Sequence, residues 1–154
     1  DEAKSAGEDS TAIETSFAEL KFDPGEEFRR MLVPQRIDAL AGKRVRIRGY
    51  MWPSFTQRGI RQFVLMKNLP SKFKYIPDET IPVHVKQGWG TEYITRAIIV
   101  EGRFVIDPVE AEERIIALYR LDDAVVMTTA GEKWIAPLKE DEIEKSESSP
   151  SQPD

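Results

Sequence analysis

His84 is the one histidine of the chain and stands between Val83 and Val85. An imidazole turned away from the apolar side of a strand can transfer a proton near neutral pH or give one nitrogen to a metal. Stable metal sites converge three or four ligands, and the nearest oxygens in sequence, Asp78 and Glu79, reach His84 only if the loop folds back. A lone imidazole therefore reads as an exposed strand residue. Ser54, Thr56 and Ser71 offer hydroxyls, but no nucleophile-elbow sequence surrounds them, which leaves them as turn residues. Asp107, Glu110, Glu112 and Glu113 could bind calcium weakly or form an acid–base pair. Their spacing follows no calcium loop, and a solvated hairpin with Pro108 in its turn accounts for them. Asp122 and Asp123, followed by apolar Ala124 to Met127, read as a strand break or bulge rather than a catalytic dyad. No glycine-rich phosphate cradle is present; Gly88-Trp89-Gly90 reads as a turn with an aromatic anchor. Without cysteine, thiolate chemistry, disulfides and cysteine metal sites are excluded. No catalytic, metal or cofactor constellation is expected, and the chain reads as a non-enzyme.

The most suggestive surface interleaves aromatics with cations. Tyr50, Trp52, Phe55, Arg58 and Arg61 come from a first hairpin, and Lys72, Phe73, Lys74 and Tyr75 from the connection that follows it. Such a set can stack bases and pair phosphates on a single nucleic-acid strand, and equally equips a protein interface. Trp52 and Phe55, flanking Pro53, can also close one end of a barrel.

These residues are positioned by strands. Lys43 to Tyr50 alternates strictly, with Val45 and Ile47 on one side and Arg44, Arg46 and Arg48 on the other, as a half-buried strand requires. Further strands are expected at Gly59 to Lys67, Ile81 to Lys86, Ala97 to Ile106, and Arg114 to Leu121 continuing towards Met127. Pro34 opens a short helix running to Leu40, and Gly42 suits the left-handed position after it. In strand four, Ile98, Val100, Phe104 and Ile106 share one face, and Gly102 permits a bend or bulge. Strand five is apolar on both sides for several residues and reads as covered twice. Five mostly antiparallel strands with one small flanking helix suit a mainly β fold, a five-stranded, partly open Greek-key barrel of the OB type.

The 154 residues, 40% hydrophobic and 32% charged, support one domain. A polar leader is expected over residues 1–15, the barrel domain over 16–137, and a disordered acidic tail over 138–154. The apolar runs fall far short of the roughly 20 residues of a membrane helix. The opening DEAKSAGEDS is consistent with a leader left after removal of a signal segment. The net charge of −5 is unevenly placed. Residues 25–105 carry 15 basic and 7 acidic groups, whereas residues 106–154 carry 5 and 13. A basic body can draw an anionic partner, or its acidic ends can screen it.

The segment LVPQRIDALAGKRVRIRGYMWPSFTQRGIRQFVLMKN, followed by IPVHV and IIVEGRFVI, resembles an uncharacterised family of bacterial exported proteins and lipoproteins, a domain of unknown function. The similarity spans roughly residues 17–127. It rests on the helix into Leu40 and Gly42, the strand Val45 to Gly49, Pro53 to Phe55, Gln62 to Leu65, and Val100-Glu101-Gly102. The resemblance implies an OB-like barrel in the cell envelope, periplasmic or exported, with lipid anchoring of a precursor, and implies no reaction. The resemblance also implies cysteine after strand two in many relatives, where this chain has Ser71, a departure that speaks against carrying over a thiol or metal role.

The resulting expectation is a non-enzymatic binding module of the bacterial envelope. It would recognise a protein or anionic ligand through the basic, aromatic hairpin and its adjoining loop. The alternatives are a single-stranded nucleic-acid-binding module, disfavoured by the acidic ends, and an accessory in metal or solute transport.

Overall fold

The computed structural model describes residues 12–53, 56–68 and 76–139. Its elements in chain order are β1 (Ile13–Glu14), α1 (Gln35–Asp38), β2 (Arg44–Met51), β3 (Gln62–Met66), β4 (Thr80–Val85), β5 (Trp89–Thr91), β6 (Ile98–Ala111), β7 (Arg114–Thr128) and β8 (Ile135–Pro137). The fold is mainly β, with a mixed sheet.

The alternation of β2 is borne out: Val45, Ile47 and Met51 are buried, while Arg44, Arg46 and Arg48 face outward. β2 changes neighbours along its length. Residues 44–49 lie antiparallel to β6, with Ile47 opposite Val100, and Tyr50 and Met51 pass to β3. β3 pairs antiparallel with β4, β4 parallel with β7, and β7 antiparallel with β6. Followed from β2, the pairings therefore return to β2.

Such a path needs local bends, and the chain supplies them with small residues and bulges. At Gly49 a Cβ would stand 2.7 Å from the Met66 carbonyl oxygen. The β6–β7 register slips between Glu101 and Arg103, beside Gly102. Opposite it, Asp123 adopts φ 51°, and the β4–β7 register shifts across the same place. The bulge expected at Asp122–Asp123 and the bend at Gly102 are thus two sides of one irregularity.

The core packs against this mixed sheet, where Ile47, Leu65, Ile81, Ile98, Phe104 and Leu121 are each at most 1% exposed. Burying side chains of that size contributes roughly 1.5–3 kcal/mol each. The helical turn α1 adds Ile37, and Gly42 follows it with φ 80°. The Gly42 N–H then donates to the Phe104 carbonyl at 2.8 Å, tying the turn to the sheet.

Three features differ from the sequence reading. The β6–β7 hairpin turns at Glu112 and Glu113, with φ 52° and 63°, and not at Pro108. Both strands run further than their apolar residues because ladder bonds, rather than burial, extend them. Pro108 sits inside β6 where the register slips between Ile106 and Val109, a place where its missing N–H is tolerated. β1 lies in the stretch expected as a leader: Ile13 pairs with Val45, and the Thr15 N–H donates to the Arg46 carbonyl at 2.9 Å, occupying the edge of β2 away from β6. Finally, β5 and β8 form a separate ribbon, fastened by the bridge Ile60–Thr91. The remainder of the expected leader, residues 1–11, and most of the acidic tail, residues 140–154, lie outside the described residues. Among the described residues, no helix is long and apolar enough to cross a membrane.

Candidate functional site

The outward side chains of β2, β6 and β7 carry alternating charge, and most of it is neutralised internally. Glu101 accepts from Arg46 Nε at 2.8 Å and from Arg44 Nε at 3.1 Å. Arg44 also reaches the Asp123 carboxylate at 3.2 Å. Asp122 accepts from Arg120 at 2.8 and 3.1 Å and from Arg103 at 3.4 Å. Arg120 additionally pairs with Asp107. Burial pushes the Glu101 carboxyl up, but hydrogen bonds from Arg46 and Arg44, with their charges, outweigh it and hold the group below its ordinary value. Arg120 does the same to Asp122, against a smaller opposing effect of burial.

His84 joins this network: its Nδ1 lies 3.5 Å from Asp122 Oδ1. A carboxylate doubly bonded by arginine and held below its ordinary value is a poorer proton acceptor than a free one. Among the described residues no three side chains of metal-ligating type converge. The network's evident work is to hold the β7 bulge against β6 and β2.

Of the nine residues expected to form a binding surface, Phe55, Lys72, Phe73, Lys74 and Tyr75 lie outside the described residues, as do Ser54 and Ser71. The other four divide into two groups. Tyr50 and Trp52 are half-buried two residues apart, Tyr50 at the end of β2 opposite Met66 and Trp52 just beyond it, its N–H donating to the Val64 carbonyl at 2.9 Å. Arg58 and Arg61 stand at the far side of the connection. The Arg61 carbonyl accepts from the Val85 N–H at 2.9 Å, and Arg58 precedes the Gly59–Ile60 segment that meets β5. Among the described residues, no group engages the guanidinium of Arg58 or Arg61. They contrast with Arg44, Arg46, Arg103 and Arg120.

Arg58 borders a cleft of about 360 Å³ that sequence reasoning missed. The cleft lies between the Arg58–Gly59 segment and the β5–β8 ribbon, with Trp134 in its wall and Lys133 and Lys139 around it. Trp134 is fixed from three directions. Its N–H donates to the Val126 carbonyl at 2.8 Å, its Nε1–H to the Glu92 carbonyl at 3.2 Å, and its own carbonyl accepts from Thr91 Oγ1 at 2.7 Å. The Arg96 guanidinium stands 5.8 Å from the ring centroid, a cation–π distance. The only hint in the sequence is a lysine–tryptophan pair after Gly131, because the lining comes from segments some tens of residues apart.

A second cleft, of about 710 Å³, lies between residues 21–26, residues 76–78 and the start of β7. It is larger but less directed. Lys21 and Arg114 are outnumbered there by Asp23, Glu26, Asp78 and Glu113. One Asp78 oxygen already accepts the Phe22 N–H at 2.8 Å.

No family model matches the chain. No curated protein matches it. Among solved structures, the chain is similar to a DUF3299 family protein, a domain of unknown function, from Pseudomonas aeruginosa. The TM-score is 0.45 and the identity 14%, over 83% of this chain and 97% of that one.

Proposed function

We propose that the chain is a non-enzymatic binding module on a five-stranded OB-type barrel, formed by β2, β3, β4, β7 and β6, and that it captures an anionic partner at the Arg58–Arg61 end of the β2–β3 connection. The returning path of strand pairings, with β4 and β7 parallel, supports the barrel. The observation that carries the binding role is the uneven neutralisation of arginine. Four arginines on β2, β6 and β7 are held by carboxylates, whereas among the described residues no carboxylate pairs with exposed Arg58 or half-buried Arg61. Unpaired guanidiniums on a rigid scaffold favour capture of carboxylates or phosphates. The envelope setting rests on the family resemblance of the sequence, and fractionation of cells that express the protein from its natural gene tests it.

Binding is tested by fluorescence anisotropy with two labelled probes, a glutamate-rich peptide and a thymidine oligonucleotide, at two salt concentrations. The expected result is salt-sensitive peptide binding that R58E/R61E lowers at least tenfold at unchanged thermal stability. Preferential oligonucleotide binding would replace this reading with the single-strand one. Equal binding by the double variant would remove the hairpin from consideration. Stabilisation of the chain by divalent metal alone would instead favour the transport-accessory reading.

A further inference from the structure

We infer that the cleft beside Trp134 receives the acidic side chains of an extended peptide, an inference that rests on the binding-module reading and names its partner class. Charge comes first. Arg58 and Lys133 border the cleft and Arg96 stands over its tryptophan, while among the described lining residues Glu92 carries the one carboxylate. A carboxylate entering there meets cations from two separate segments of the lining, with Arg96 beside the ring, so the field converges on the cleft rather than spreading over a flat face.

The tryptophan decides between ligand classes. A platform for nucleobases offers an open π-face. Here the Arg96 guanidinium already stands over one face of the Trp134 ring, and the indole N–H is spent on the Glu92 carbonyl. Arg96, itself exposed beside the ring, is available to pair with a carboxylate. The floor gives the third argument. At Gly90 a Cβ would stand 3.0 Å from the Gly59 backbone and 2.8 Å from Leu138 Cδ2. Main chain therefore packs against main chain beneath the cleft, leaving a shallow volume of about 360 Å³. That is near the lower end of ligand pockets, roughly 300–1,000 Å³, and suits short carboxylate side chains on an extended backbone. The chain itself contains such a sequence in Glu140-Asp141-Glu142-Ile143-Glu144.

The test uses the full chain and a labelled peptide of four glutamates around one isoleucine, read by anisotropy at low salt. Four variants are compared with the wild type: K133E, W134F, R61E and the quadruple E140Q/D141N/E142Q/E144Q. K133E is expected to weaken binding about tenfold, and W134F about threefold through the freed Arg96. R61E, outside the cleft, should weaken it less than K133E. The quadruple variant should bind at least as tightly as wild type, and a gain would show the chain's own acidic run competing for the same site. Wild-type affinity in K133E, or no binding by either wild type or the quadruple variant, overturns the inference. Abolition by R61E with K133E unaffected would overturn the cleft while leaving the hairpin reading standing, so the two failures are separable.

Discussion

The phenol of Tyr119 donates a 2.7 Å hydrogen bond to the main-chain carbonyl of Leu20, across 99 residues of sequence. Both residues are 1% exposed, and the Tyr119 ring packs 5.1 Å from that of Phe104. Residues 16–20 contain no long regular element, so their buried carbonyls need partners from elsewhere. Tyr119 supplies one, which is how an irregular segment can lie against the sheet at acceptable cost.

Y119F should therefore destabilise the fold by about 1–2 kcal/mol, the cost of an orphaned buried carbonyl. Burial, reinforced by the charge of Asp78 and partly offset by Arg36, pushes the phenol above its ordinary value. A folded value raised above the unfolded one, about 10, means this contribution is intact below pH ~10. It is lost as pH rises from there through the folded value. Urea midpoints taken from pH 8 to 11 should fall at the alkaline end for wild type, with that component missing in Y119F.

Glu101 behaves in the opposite sense. Its folded value lies below the unfolded one, so the pairing with Arg44 and Arg46 stabilises above pH ~4.3 and is lost as pH falls below it. E101Q should cost about 1 kcal/mol near neutrality, the scale of a solvent-screened network. Thermal melts at pH 7 and pH 3.5 check it: the gap between the two proteins should narrow at the lower pH.

Gly49 tests the bend of β2. A methyl group there would press on the Met66 carbonyl oxygen at 2.7 Å and Leu65 Cγ at 3.0 Å. Backbone cannot yield as a side-chain end can, so G49A should destabilise by about 1–3 kcal/mol. A denaturation midpoint equal to that of wild type would show that β2 and β3 can separate locally.

The β6–β7 turn predicts a gain. Glu112 and Glu113 both adopt positive φ, a conformation that Asn-Gly adopts with less strain. E112N/E113G should raise stability by about 0.5–1 kcal/mol. A fall in the melting temperature would mean that one of the two carboxylates makes a contact outweighing its backbone strain.

Much of the fold was legible because periodicity is a local record of burial. Val45 and Ile47 against Arg44 and Arg46, or Ile98, Val100 and Phe104 around Gly102, announce which side meets the core. The Glu112–Glu113 turn was illegible for the converse reason: two glutamates give no turn signal, and Pro108 gives a false one. The site was legible only in part. Arg58 and Arg61 stood out as cations among aromatics, yet nothing nearby in sequence indicated that Arg58 borders a cleft walled by Trp134.

The sequence by itself determined the strand pattern, the absence of thiol chemistry and the concentration of positive charge in the body, since each depends on residue type and short spacing alone. Only the tertiary structure decided which of those charges are spent. Glu101 neutralises Arg44 and Arg46 because a strand some 55 residues later is laid beside β2 in one register. Slipping that register by one residue would turn Glu101 to the other face. Among the described residues, no carboxylate is delivered to Arg58 or Arg61 in this way. Long-range pairing, which composition does not encode, thus separates the arginines that hold the fold together from those left to meet a partner.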